Sequence, residues 1–275
     1  MTQQFVEDAV LEVERLRRQL SAVQRDLETH RAALRQELEL AARVHRSLLP
    51  TPVRNGQIHI DLRYVPIEQV GGDYCQVGHP DRDTCVISIW DVTGHGIGPA
   101  LLATRVSSEV RYGILYGRSP HEIVDSLNLF ICDHFGDTGL YLSCTVAQID
   151  FPRREITWCG AGHPSPLLIR RNGLIAEQLV SQNMLIGIRE EFLDEHPEDT
   201  LRFEPGDRLL FYTDGLTETA DAFGRPLGVD GLTGIAVEAM SVELFGMADR
   251  IFERITKFEH AETLDDKTLI VAEIR

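Results

Sequence analysis

The first 48 residues of this 275-residue chain contain neither glycine nor proline. A stretch without either has no strong turn-former and no helix-breaker, so a long unbroken helix is expected there. Cysteine is scarce as well: Cys75, Cys85, Cys132, Cys144 and Cys159 are odd in number and include no C-x-x-C pair. That disfavours a disulfide framework or a zinc site and fits reduced thiols in a cytoplasmic protein. No apolar run approaches the ~18 residues needed to span a bilayer, and no signal-peptide segment opens the chain, so no membrane partner is expected. Basic charge is also in deficit, with a formal net charge of −16. Residues 1–48 carry eight acids and eight arginines, so the whole excess lies in residues 49–275. An acidic domain of this kind lacks the electrostatic footprint of a nucleic-acid binder.

What the first segment does contain is a repeat of seven. Val6, Val13, Leu20, Leu27, Leu34, Ala41 and Leu48 fall one heptad apart, and Ala9, Leu16, Val23 and Val44 fill a second seam. His30 and Glu37 interrupt that second seam, and the apolar series then shifts as a four-residue stutter would shift it. Residues 1–49 are therefore expected to form a regulatory helix that pairs with a second copy as a parallel coiled-coil homodimer. One helix packed on its own domain is the alternative. "LLPTP" (48–52) closes the helix, because the residue before proline leaves helical space.

Residues 50–275 read as a mixed domain. Strands are expected at "HIDLRYVP", "TCVISIWDV", "LSCTVAQID", "EITWCGA", "SPLLIRR", "DRLLFYTDG" and "TLIVAEI". A helix is expected from Pro99, a second from the capping box of Ser119 and Glu122, and a third over "ELFGMADRIFERITKF". "GRPLGVDGL" reads as a glycine-bent approach to another helix. Short links such as "DFPRRE" and "RRNG" join neighbouring strands, which favours antiparallel sheets.

Aspartates stand at strand ends in four places: Asp73 in "VGGDYC", Asp91 in "WDVTGHG", Asp214 in "FYTDGLTE", and Asp265–Asp266 in "LDDKTLIVA". Each adjoins an apolar segment, so each is expected at the rim of a core. Asp beside Gly is also an ordinary turn, and no single site decides between turn and ligand. Together, carboxylates at one rim would repel one another unless a cation intervened, and oxygen-only sites suit Mg²⁺ or Mn²⁺.

The ordered set G-G-D-Y, D-V-T-G-H-G, A-G-H-P, Y-T-D-G-L-T-E and D-D-K-T resembles the metal-dependent Ser/Thr protein phosphatases of the SpoIIE/RsbU-like bacterial branch, from about Ala42 to Ile274. The resemblance implies an α+β fold, a four-layer α-β-β-α sandwich of two antiparallel sheets. It also implies a site with two Mn²⁺ or Mg²⁺ ions, held by Asp73, Asp91, the Val92 carbonyl, Asp214 and Asp265, with Asp266 as a neighbour acting through water. The implied activity is hydrolysis of phosphoserine or phosphothreonine on a regulatory protein of the anti-anti-sigma type, by a water polarised between the ions.

His95 is a candidate substrate contact, or else a turn histidine. His163, in "AGHPSPLL", is expected to order a turn, with a substrate-facing role as the alternative. The branch often carries a second acid where this chain has Gln76, so either a weaker site for one ion or a shift in metal preference is expected. Gln76 is also the sole support for a second reading, a coiled-coil adaptor with a degenerate phosphatase domain. A diguanylate cyclase is excluded, because "GGD" is followed by "YCQ" and the later acids have no place in that chemistry.

Overall fold

A computed structural model of the chain describes residues 2–173, 176–191, 197–260 and 265–275, with side chains from Leu11 onward except Val13. Two compact units divide it, residues 1–46 and 47–275. The first is the greater part of one helix, α1 (Thr2–Leu48). Its seam residues Leu16, Leu20, Val23, Leu27 and Leu34 are exposed. The side chains of Val6, Ala9 and Val13 lie outside the described residues.

In the second unit, eleven described strands form two antiparallel sheets. One has the order β1 (Val53–Arg54), β2 (Ile58–Val65), β11 (Lys267–Ile274), β10 (Arg208–Tyr212), β7 (Leu167–Ile169), β8 (Ala176–Gln178). The other runs β3 (Tyr74–Gly78), β4 (Thr84–Val92), β5 (Leu142–Asp150), β6 (Glu155–Ala161), β9 (Asp199–Arg202). Alternation along β4 shows why the layers form. Ile87 and Ile89 point inward, meeting Phe211, Ile270 and Ile60 of the facing sheet. Val86, Trp90 and Val92 point outward, under α2 (Ile97–Leu115) and α3 (Pro120–Phe135). With both faces covered, the strand is apolar on both. On the far side, α5 (Gly228–Ala239) and α6 (Leu244–Phe258) cover Leu210, Tyr212, Leu269 and Val271. The result is the expected four-layer α-β-β-α sandwich.

Local chemistry sets the helix starts. The Ser119 hydroxyl accepts from the Glu122 amide, and the Glu122 carboxylate accepts from the Ser119 amide, completing the capping box of α3. α2 begins at Ile97, two residues before the expected Pro99, because Gly96 at φ 93° turns the chain out of the preceding loop. The short strands β1, β3, β8 and β9, and the one-turn helix α4 (Asp214–Thr217), were not expected from sequence. They are too short to show a period.

Candidate metal centre at one rim of the sandwich

Strand pairing brings the acids together two by two. β3 and β4 are antiparallel with Tyr74 opposite Trp90, so Asp73, just before β3, lies beside Asp91, near the end of β4. In the other sheet β10 and β11 pair with Tyr212 opposite Leu269, which sets Asp214 near Asp265 and Asp266. Two threonines tie the sheets at this rim. Thr213 Oγ1 and Thr268 Oγ1 both donate to Asp73 Oδ2 at 2.7 Å, and the Thr268 amide donates to Thr213 Oγ1 at 3.0 Å. Sequence reasoning missed these hydroxyls. The only signal for them is a threonine next to or near an acid in "YTDG" and "DDKT".

Glycines let the backbones close up. A Cβ on Gly71 would overlap the Asp266 carboxylate, and one on Gly215 would overlap the Asp266 carbonyl. A Cβ on Gly72 would come 2.6 Å from the Val92 carbonyl oxygen, which places that carbonyl at the rim beside Asp91. Asp266 is buried and anchors the loop before β3: its Oδ1 accepts from the Ile67 amide at 2.8 Å, with further backbone hydrogen bonds from Asp73 and Gly72.

The electrostatics follow from this crowding. Burial, then the charges of Asp73, Asp214, Asp265 and Asp266, push Asp91 up to about 9. Burial, Asp265 and Glu218 push Asp214 up to about 6. Burial raises Asp73 despite its two hydroxyl donors, and it raises Asp265 and Asp266 as well. The charges of the other four acids thus all bear on Asp91, and Asp265 bears on Asp73 and Asp214 as well. Among the described residues, no three His, Cys, Asp or Glu side chains meet at metal-ligand spacing. The donor set itself, carboxylates and a carbonyl with excess negative charge, fits hard divalent cations.

His95 lies in the same loop region, exposed, with Nδ1 2.8 Å from Glu68 Oε1, and its charge acts on Asp265 and Asp266. His163 lies at the same end of the sandwich but turned into the core. Its Nδ1 is 2.8 Å from the hydroxyl of Ser143, the residue opposite Asp91 across β4 and β5, and the Tyr212 backbone is a second partner. It is buried, and burial pulls it down to about 3, so it stays neutral. Gln76 does not reach the rim. Its side chain lines a separate cleft with Pro50, His79 and Arg111, because the pleat of β3 carries it toward α2. Set in this cleft, Gln76 stands apart from the carboxylates.

With this geometry in place, comparison with known proteins is informative. The family described as "Stage II sporulation protein E (SpoIIE)" matches residues 81–275. The chain belongs to the SpoIIE family. Within it, the chain is similar to phosphoserine phosphatase RsbP of Bacillus subtilis, 29% identical over 187 residues that cover 67% of this chain and 46% of RsbP. The chain spans less than half the length of the curated relatives it matches. In three dimensions this SpoIIE-family chain resembles the SiaA-PP2C domain of Pseudomonas aeruginosa, with TM-score 0.78 and 19% identity over 89% of this chain and 98% of that one. It also resembles RsbX, solved in complex with magnesium, with TM-score 0.61 and 14% identity over 82% of this chain and 99% of that one. The SpoIIE-family domain here thus has the PP2C-type phosphatase fold.

Proposed function

We propose that this SpoIIE-family chain is a protein phosphatase that uses Mn²⁺ or Mg²⁺, two ions per site, to hydrolyse phosphoserine or phosphothreonine on a regulatory protein of the anti-anti-sigma type. One observation carries the reading: strand pairing brings Asp73, Asp214, Asp265 and Asp266, from three other stretches of the chain, close enough to Asp91 at one rim of the sandwich for each charge to bear on it. Bound divalent cations supply a polarised water as nucleophile and stabilise the charge that grows on the phosphoryl oxygens. Asp73, Asp91, Asp214, Asp265 and the Val92 carbonyl are the ligands in this reading, with Asp266 acting through water. Thr213 and Thr268 hold Asp73 in place, and Asp266 holds the loop that carries it. Glu68 fixes one nitrogen of His95, leaving the exposed ring to donate to the phosphate or to the leaving oxygen.

The exposed leucine seam of α1 supports a parallel coiled-coil homodimer as the regulatory element, with residues 1–49 as that element and 50–275 as the catalytic domain. Acidic charge and reduced cysteines support cytoplasmic action on a protein rather than on nucleic acid. Among the described residues no helix is long and apolar enough to cross a membrane. The adaptor reading loses its one support, since Gln76 stands apart from the acids. The test is hydrolysis of p-nitrophenyl phosphate and of a phosphoserine protein by the full chain. Activity that needs Mn²⁺, stops with EDTA and is lost in Asp91→Asn is expected; no turnover at any Mn²⁺ concentration refutes the proposal.

A further inference from the structure

The end of the sandwich opposite the carboxylates gathers arginines. β4 runs from Thr84, paired with Asp150 at this end, to Asp91 at the metal rim, and β10 runs from Arg208 here toward Asp214. The turns "DFPRRE" and "RRNG" and the end of β9 set Arg153, Arg154, Arg170, Arg171 and Arg202 around an open cleft of about 840 Å³. Glu204 and Asp207 also line it, so five arginines stand against two acids, opposite in sign to the chain's net charge of −16.

One arginine is framework and four are not. Arg170 donates to Glu177 at 2.7 Å, to the Arg202 carbonyl at 2.8 Å and to Asp207 at 2.9 Å. Buried Asp207 also accepts from the Arg171 and Glu204 amides at 2.9 Å each, locking the turns together. Arg153 and Arg202 make long ion pairs, 3.7 Å to Asp150 and 3.8 Å to Glu155, and their side chains are 76% and 84% exposed. The Arg171 stem lies along Gly206, where a Cβ would come 2.7 Å from its Cδ. Arg154 has φ 57°, the one positive value outside glycine among the described residues. The hairpin holds an arginine at a turn position that glycine, lacking a Cβ, fills without steric cost.

The chemistry of the cleft selects its ligand. Guanidinium forks match phosphate oxygens two at a time, and the volume is that of a small-molecule site. None of the exposed large hydrophobic side chains lines it, so it lacks the apolar anchor on which a protein interface depends. We propose that this cleft binds a compact polyphosphate anion, a di- or triphosphate either free or carried by a nucleotide. Binding there is reversible and remote from the carboxylates, so the ligand is not a substrate.

The test is calorimetric titration of the full chain carrying Asp91→Asn in EDTA, which prevents phosphate from binding through ions at the rim. Tripolyphosphate is expected to bind one per chain. Arg171→Ala and Arg154→Gly are each expected to weaken it about 10-fold, the equivalent of one charge-assisted hydrogen bond. Arg154→Gly also relieves the backbone, so an unchanged or higher melting temperature shows that lost binding is not lost folding. Arg105→Ala, on α2, is the control and is expected to bind as the parent does. ATP binding about 10-fold tighter than tripolyphosphate supports a nucleotide as the source, and equal binding supports the free polyphosphate, each by the same affinity arithmetic. Binding unaffected by both arginine variants overturns the proposal. So does a hexaglutamate peptide binding as tightly as tripolyphosphate, which would assign the cleft to an acidic protein surface.

Discussion

Replacing Asp91 with asparagine should stabilise the metal-free protein and destroy its response to metal. Burial and four neighbouring carboxylates lift Asp91 from 3.8 to about 9. A folded-state value above the unfolded one means that the folded chain keeps a proton the unfolded chain releases. Stability is therefore greatest below about pH 4 and falls as pH rises toward 9. At pH 7 the gap from 3.8 is about three units, or about 4 kcal/mol at 1.36 kcal/mol per unit. Asp91 is only half-buried, and solvent screening at the rim brings the expected effect to about 2–4 kcal/mol. Asparagine keeps the shape and drops the charge. In EDTA at pH 7 the variant should thus melt roughly 5–12 °C above the parent, with no difference near pH 4. Mn²⁺ at a hundredfold excess over its Kd should raise the parent's stability by about 2.7 kcal/mol and the variant's far less. Thermal unfolding from pH 4 to 9, with and without Mn²⁺, reads both. An asparagine variant that melts below its parent in EDTA at pH 7 refutes the reasoning.

Thr268→Val removes one of two hydroxyl donors to buried Asp73, a loss of about 1–3 kcal/mol that should appear as weaker Mn²⁺ binding in a titration. Gly215→Ala drives a Cβ into the Asp266 carbonyl, so metal-dependent turnover should fall while the secondary structure, read by circular dichroism, persists. Ser119→Ala breaks the capping box of α3 far from the rim; about 1 kcal/mol of stability should be lost in denaturant unfolding, with the rate on p-nitrophenyl phosphate unchanged. Leu20→Lys with Leu27→Lys places charge in the exposed seam of α1; sedimentation should report a dimer for the parent and a monomer for this variant.

Much of the architecture was written in local pattern. Alternating apolar residues in "TCVISIWDV", the Ser119–Glu122 box and the turn residues of "DFPRRE" act within a few residues of themselves, so period and turn chemistry were enough to place β4, α3 and the β5–β6 hairpin. The acids were visible one at a time, as aspartates at strand ends. Their union was not, because it depends on the register of β3 with β4 and of β10 with β11, and on two sheets meeting face to face. Gln76 shows the limit: three residues from Asp73, it seemed to belong to the rim, but the pleat turns it to another face. The arginines tell the same story at the other pole, scattered through the sequence from 153 to 202 and gathered only by three turns and one buried aspartate. Sequence alone determined the longer helices and strands and which segments carry carboxylates, since those follow from neighbours along the chain. Tertiary structure decided which charges share a site, because repulsion and ligand capacity depend on distance through space.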